Sequence, residues 1–346
     1  MKFKSLESIG SLAVVGATGI VGREFLSLLD EHKICIPEIR LLASEDSAGQ
    51  AIRVGEREMF VDELNAQSFE GVEAAFFSVP NSVTREFVPI AVEAGCLVVD
   101  DSNCYRSEPG VPIVVPELNG YLLKDFDGRI ISTPNCSVTP LALCLKPLSD
   151  RYGLKRVVVS TYQSVSGAGR RVVEELSDQS AVLLNGKTAT SAVFSHRIAF
   201  NCLPLIGSAT ESGDSEEETK VVRELRKILE LPSLLVSASA VRVPTFCSHG
   251  AAVNVECESE LDALPVVREL FDGSAGVKVI DKPPSDIYAT NVEATGTDEV
   301  FVSRIRRDYS VRSGLNLWVI ADNLRKGAAL NALQILDTLY MYRRMS

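Results

Sequence analysis

The run Ser11-Leu12-Ala13-Val14-Val15-Gly16-Ala17-Thr18-Gly19-Ile20-Val21-Gly22, followed by Arg23 to Leu29, decides how the chain begins to fold. Ser11 to Val15 is a short apolar strand, glycines at 16, 19 and 22 interrupt it, and Arg23 to Leu29 reads as a helix. A strand, a glycine turn and a helix in this order make the phosphate-cradling start of a dinucleotide-binding unit. Gly16 makes the turn, Gly19 lets the backbone approach a pyrophosphate, and Gly22 permits close packing of helix on strand. Thr18, Ile20 and Val21 belong to the same cradle. A merely tight turn is the competing reading, and the order of the flanking elements argues against it.

Further strands are predicted at Ile39 to Leu42, Glu73 to Val79 and Cys96 to Asp100, with a helix over Val83 to Ala94 interrupted by Pro89. Alternation of strands and helices implies a parallel sheet covered on both faces. The loop after the second strand, Ala43-Ser44-Glu45-Asp46-Ser47-Ala48-Gly49, is where such a fold reads the adenosine ribose. Its signals conflict: Ser44 and Ser47 suit a 2′-phosphate, whereas Glu45 and Asp46 repel one unless they point outward. Asp101 to Arg106 follows another strand end, and Arg106 is its basic residue of interest.

The totals bound what the chain can be. At 346 residues there is room for about two domains, and a hydrophobic fraction of 46% with 23% charged residues is that of an ordinary globular protein. A net charge of -11 argues against nucleic acid or an anionic membrane as the main partner. The eight cysteines show no CxxC pair and no metal-ligand spacing, so no metal is expected and reduced thiols are. No signal peptide and no membrane-spanning run are visible, and the protein is expected to be cytoplasmic.

Near the middle lies Thr133-Pro134-Asn135-Cys136-Ser137. Pro134 ends the strand-like run Arg129 to Ser132, and Val138 to Leu148 reads as an apolar helix. Cys136 therefore falls at or just before a helix N-terminus, where the macrodipole and unpaired amides favour a thiolate. A buried structural cysteine is the alternative. After about Gly153 the pattern changes. Arg156 to Gln163 alternates like a strand, Ser164 to Arg170 is a flexible turn into a helix at Arg171 to Leu176, and Glu216 to Leu229 is a charged helix on which Glu217 and Lys220 share a face. Val241 to Val243 and Ala251 to Glu256 read as strands, with His249 in the turn between them. Val300 to Arg307 and Asn316 to Ala321 pair as strands, and Leu324 to Met345 is a long closing helix. A cysteine, a histidine and several cations on a nicotinamide-binding fold suggest oxidation of an aldehyde through a thioester.

Taken together, Gly16 to Gly22, Asn135-Cys136-Ser137, Gln163 with Ser166-Gly167-Ala168-Gly169, Ile198 to Asn201, Arg242-Val243-Pro244, His249 and the stretch from Gly314 to Asn331 resemble aspartate-semialdehyde dehydrogenase, in its shorter bacterial type. The resemblance runs in order over nearly the whole chain. It implies an α/β protein with a Rossmann-like dinucleotide-binding domain at 1–134 and an α+β catalytic and dimerisation domain at 135–323. The C-terminal helix, 324–346, would return to the first domain. The implied reaction is the reversible, NADP-dependent reductive dephosphorylation of L-aspartyl 4-phosphate to L-aspartate 4-semialdehyde, on the routes to lysine, threonine, methionine and diaminopimelate. Cys136 would be the nucleophile, His249 the acid and base, and Gln163 would orient the acyl group. Arg242 would clamp the substrate carboxylate and Glu217 its amine, while Arg106, Asn135 and Lys220 would hold phosphate. Ser44, Ser47, Ser166, Gly167 and Asn323 would join the glycine loop in holding the cofactor. Substrate and inorganic phosphate would be the small-molecule partners, with a homodimer or homotetramer as the assembly.

Departures from the pattern bear on details. Glu45, Asp46 and Gln50 stand where relatives carry more positive charge, which leaves NAD use open. Cys247, two residues before His249, is read as a small filler rather than a second working thiol. An N-acetyl-gamma-glutamyl-phosphate reductase is the nearest alternative, disfavoured because an acetylated amine has no use for Glu217. A non-catalytic dinucleotide-binding relative is disfavoured because cysteine and histidine are both present.

Overall fold

The structure is a computed structural model, and it describes residues 3–345; Met1, Lys2 and Ser346 lie outside the described residues. The chain divides into two compact units: the chain up to Asn135 together with Ala328 onward, and Cys136–Gly327. Asn135 thus falls in the first unit and residues 324–327 in the second.

The first unit is built on β1 (Ser11–Val15), β2 (Glu38–Ala43), β3 (Ala51–Val54), β4 (Arg57–Glu63), β5 (Ala74–Phe77), β6 (Leu97–Asp100) and β7 (Ile130–Ser132), in the spatial order β3-β4-β2-β1-β5-β6-β7. All neighbours are parallel except the β3–β4 hairpin. The strand order reverses at β1, which has β2 on one side and β5 on the other, so the crevice beyond its carboxyl end is the place for a ligand. Alternate residues serve opposite faces. Leu12, Val14 and Phe76 join one core with Phe25, Leu28, Leu333 and Leu336, while Val15, Phe77 and Val98 join another with Val88 and Ala91. The first face is covered by α1 (Ile20–Glu31) and by the C-terminal helix (Leu330–Met345), the second by α2 (Asn81–Glu93). A short α3 (Pro116–Asn119) packs on the C-terminal helix. Asn331 Nδ2 donates to Val114 O (2.9 Å) and Gln334 Nε2 to Glu117 Oε1 (3.0 Å), so buried polar pairs fix the returning helix as well as apolar contact.

The second unit opens with α4 (Val138–Tyr152) and continues through α5 (Arg170–Leu184), α6 (Glu216–Ile228), α7 (Leu264–Asp272) and α8 (Asn291–Ala294). Its mixed sheet contains β8 (Leu154–Gln163), β9 (Leu235–Arg242), β10 (His249–Cys257), β11 (Val277–Val279), β12 (Val300–Asp308) and β13 (Gly314–Ala321), in the order β11-β12-β13-β10-β8-β9. Helices α4, α6 and α7 pack against one face. On the other, Val158, Ser160 and Tyr162 of β8, Ala252 of β10 and Asn316 and Trp318 of β13 are half-buried or exposed. Tyr162 leans there on Trp318 with ring centroids 5.6 Å apart, and Arg156, Glu256 and Arg306 lie farther along the same face.

Several expectations need correction. His249 opens β10 instead of lying in a turn. Helix α2 runs through Pro89 and α4 through Pro147 to Tyr152, because their buried faces gain more from the sheet than a missing backbone bond costs. The closing helix begins with a π-helical turn, Arg325–Ala329. The β3–β4 hairpin has no continuous apolar run, being mostly exposed, and sequence periodicity does not reveal it. No helix among the described residues is long and apolar enough to cross a membrane.

The glycine cradle is as tight as its spacing implies. Gly16 has φ +90, and a Cβ there would lie 2.3 Å from Ser78 O; a Cβ on Gly22 would lie 2.2 Å from Gly16 O. Gly22→Ala is therefore expected to lower unfolding stability by at least about 1–3 kcal/mol, the usual range for overpacking. A urea melt with an unchanged midpoint would contradict the packing assigned to this helix.

Candidate active site

In the first unit, Gly16 and Ala17 donate their amides to Leu42 O (2.8 and 3.1 Å), which turns the chain sharply out of β1. Gly19 caps α1 without a side-chain bond, no acidic residue occupies the first helical turn, and Ile20 and Val21 begin the helix. The exposed Gly19 and the amides behind it leave a helix N-terminus suited to an anionic phosphate. Ser44 precedes a 3-10 turn, Glu45–Ser47, in which Glu45 and Asp46 are exposed. Thr18 Oγ1 lies 3.5 Å from Ser47 Oγ, so the cradle and the ribose loop meet at two hydroxyls.

Arg106 and Asn135 are buried in the same unit. Asp101, which sequence reasoning passed over, ties their loops together. Its backbone oxygen accepts from Arg106 Nη2 (2.9 Å), and its carboxylate accepts from Thr133 Oγ1 (2.6 Å) and Ser78 Oγ (3.4 Å). Burial pushes the Asp101 carboxyl up to about 6, against the opposing pull of Arg106. Thr133 lies two residues before Asn135, so this carboxylate sets the path of the chain leading to Cys136.

The second unit gathers Cys136, Gln163, Glu217, Lys220, Arg242, His249, Ser166, Gly167 and Asn323. Strands β8 and β9 run parallel with Gln163 opposite Arg242 at their ends. Arg242 Nη1 donates to Ser164 O (2.8 Å) and reaches Gln163 Oε1 (3.4 Å). Gln163 Nε2 in turn donates to Glu217 Oε1 (3.0 Å), and Lys220 Nζ lies 3.5 Å from Glu217 Oε2. The i, i+3 pair on α6 is thus one end of a buried polar chain, not a solvated ornament. Burial works against the Arg242 cation, while nearby Cys136 and Glu217 support it. Cys136 sits one residue before Ser137, the N-cap of α4, and is half-buried. The π-helical turn presses on it: a Cβ on Gly327 would lie 3.0 Å from Cys136 Cβ.

His249 is buried, and its Nδ1 faces Ser164, 3.1 Å from both the amide and the hydroxyl. Its Nε2 and Arg242 Nε are buried with no hydrogen-bond partner. A Cβ on Gly167 would meet His249 Nε2 at 2.9 Å and Arg242 Nη1 at 3.1 Å, so glycine keeps open the space on which both side chains converge. Asn323 is buried and works internally: its Oδ1 accepts from Ser248 N–H (2.9 Å) and Ser164 Oγ (3.2 Å), and its Nδ2 reaches Ser166 Oγ at 3.0 Å. Cys247 Sγ points away from this space to Asp322 Oδ1 (3.5 Å), and burial, with Asp322 adding to it, pushes the thiol up to about 11. Cys247 is therefore a protonated filler at neutral pH. Ser164 and Gly327 are the residues that sequence reasoning did not single out. Adjacency of Ser164 to Gln163 was the available signal, but only the fold brings His249 onto it.

Known proteins resemble this chain over nearly its whole length. Residues 11–126 match the family model "Semialdehyde dehydrogenase, NAD binding domain", and residues 145–326 match "Semialdehyde dehydrogenase, dimerisation domain". Over 331 residues the chain is 44% identical to aspartate-semialdehyde dehydrogenase of Aquifex aeolicus, covering 95% of this chain and 97% of that protein. Against the Legionella pneumophila aspartate-semialdehyde dehydrogenase it is 43% identical, covering 95% of each. The crystal structure of aspartate semialdehyde dehydrogenase II from Vibrio cholerae, complexed with ASA, superposes with a TM-score of 0.91 at 40% identity, covering 96% of this chain and 98% of that one. With family models matched in both parts and relatives at 44% and 43% identity over 95% of its length, the chain belongs to the aspartate-semialdehyde dehydrogenase family.

Proposed function

We propose that the protein is an aspartate-semialdehyde dehydrogenase that converts L-aspartyl 4-phosphate and NADPH reversibly to L-aspartate 4-semialdehyde, phosphate and NADP. The observation that carries this reading is the chain Lys220-Glu217-Gln163-Arg242, half-buried at Lys220 and buried beyond it, lying beside Cys136, which presents an acid, an amide and a guanidinium to one small polar ligand. An amino acid with a free amine and a free α-carboxylate suits that set: Glu217 takes the amine, Arg242 the carboxylate and Lys220 the phosphate. A planar guanidinium held by Ser164 O is already aimed, so little ordering is lost when a carboxylate docks.

Cys136 is the nucleophile. Its sulfur is activated by the start of α4 and by the Arg242 cation near it. Attack at C4 forms the C–S bond, and the bond from C4 to the phosphate oxygen breaks with its electron pair leaving on phosphate. Gln163 orients the resulting thioester, and His249 serves the carbonyl oxygen. The nicotinamide, when bound, supplies the hydride that reduces this thioester. Gly16, Gly19 and the first turn of α1 fit its pyrophosphate, Gly22 holds the helix close, and Ser166 and Gly167 lie on the turn after β8. Ser44, Ser47 and Thr18 would receive a 2′-phosphate, with Glu45 and Asp46 turned to solvent.

The 135–323 part is the substrate-binding and dimerisation domain, and the sheet face around the half-exposed Tyr162 and Trp318 is where a second copy docks. A homodimer is the expected assembly.

Phosphate-dependent reduction of NADP by purified protein with L-aspartate semialdehyde tests the reaction, and activity without phosphate would contradict it. Cys136→Ala is expected to abolish turnover while leaving nucleotide binding near normal; normal turnover removes the assignment. Arg242→Lys is expected to raise KM for the semialdehyde by about 10-fold or more, because a bidentate fork becomes a point charge. Asp46→Arg with Glu45→Ser is expected to leave the NADP to NAD ratio nearly unchanged, because both side chains point to solvent; a shift toward NADP would place them at the ribose.

A further inference from the structure

We infer that Asp298 and Arg325 are positioning residues for Cys136: with Asp322 they clasp the loop after α8 to the π-helical turn, and the clasped turn holds the nucleophile in place. The inference rests on the proposed reaction only in taking Cys136 as the nucleophile.

The clasp is reciprocal. From the turn side, buried Asp322 accepts from Gly296 N–H (2.8 Å) on Oδ2, and from Leu324 N–H (2.9 Å) and Arg325 N–H (3.3 Å) on Oδ1. From the loop side, Asp298 Oδ1 accepts from Arg325 Nε (2.9 Å) and Nη2 (2.7 Å). The Arg325 side chain is 7% exposed and that of Asp298 28%, so the pair is screened less than one on the surface. Each segment thus gives a carboxylate to the other. Sliding one past the other breaks hydrogen bonds to buried groups, which is costly.

What the clasp holds lies against the nucleophile. Gly327 N–H donates back to Asp322 O (3.2 Å), which closes the wide turn two residues beyond Arg325. A Cβ on Gly327 would lie 3.0 Å from Cys136 Cβ, 3.1 Å from its carbonyl oxygen and 3.2 Å from its Cα. The backbone of the turn is therefore a wall along both the main chain and the side chain of Cys136. The same loop is fastened at its other end. Asn291 Nδ2 donates to the carbonyls of Cys247 (3.0 Å) and Ser248 (2.7 Å), and Thr295 Oγ1 lies 2.8 Å from Ser248 Oγ. Residues 291–298 thus tie the wall behind Cys136 to the chain entering β10. A looser wall gives the Cys136 side chain room to leave the start of α4 and the Arg242 cation, where its sulfur is activated.

Alkylation by iodoacetamide in the absence of substrate, followed peptide by peptide in a mass spectrometer, reads Cys136 separately among the eight cysteines. Asp298→Ala is expected to slow this alkylation and to lower kcat, each about 10-fold, the scale of a small misplacement, with KM for the semialdehyde nearly constant. Asp298→Asn is expected to recover most of both, because the two arginine N–H groups meet a single oxygen that asparagine also offers. Gly327→Ala reaches the same point with the clasp intact: its methyl group is expected to displace Cys136 and slow alkylation at least as much. Unchanged alkylation and kcat in folded Asp298→Ala, or in Gly327→Ala where the first variant does not fold, overturns the inference, and so does an asparagine variant no better than alanine. A lowered thermal midpoint with both rates unchanged makes the clasp merely structural and overturns it too. A parent protein without phosphate-dependent activity removes the proposed reaction, while the alkylation rates still decide the clasp.

Discussion

Everything in the second unit depends on how the ends of two parallel strands are satisfied. Gln163 and Arg242 stand opposite each other, and the Arg242 guanidinium closes the gap by bonding the carbonyl of Ser164. A buried guanidinium is costly unless its hydrogens find oxygen and its charge finds a partner. Here Nη1 bonds to backbone and also reaches an amide, and Nε is buried without a partner. The same Ser164 that anchors the arginine by its carbonyl orients the histidine by its amide. One residue of turn backbone thus sets the positions of the site's cation and its histidine.

Rigidity elsewhere supports this point. Asn323 collects Ser164, Ser166 and Ser248 around one side-chain amide, and Asp322 takes Cys247 Sγ, Gly296 N–H and Leu324 N–H on its carboxylate. The π-helical turn that follows brings Gly327 against Cys136. A wider turn lets the chain pass the nucleophile where an ordinary side chain would not fit, and π segments are frequent at such places. In the first unit Asp101 does comparable work, joining the carboxyl ends of β5, β6 and β7 through Ser78, its own backbone and Thr133.

Much of this was legible in the chain. The glycine spacing after β1, the helix start beside Cys136 and the charged helix with Glu217 and Lys220 each follow from local rules of turns, dipoles and faces, and each has the structure those rules imply. Elements with weak local signals were not: the exposed β3–β4 hairpin lacks an apolar run, and β11 is three residues long. Pro89 misled, and α4 runs past its expected end at Leu148, because helix ends are decided by packing as well as by backbone propensity.

The sequence by itself determined that the chain starts with a nucleotide-binding βα unit, carries a cysteine poised at a helix N-terminus and resembles one dehydrogenase family throughout. Those are properties of residues close together in the chain, where spacing is geometry. Tertiary structure alone decided that Ser164 meets His249, 85 positions away, and that Asn323 meets both serines of that turn, over 150 positions away. The contacts of the His249 ring exist only when β8, β10 and the segment after β13 have come together, because the residues that make them are far apart in the chain.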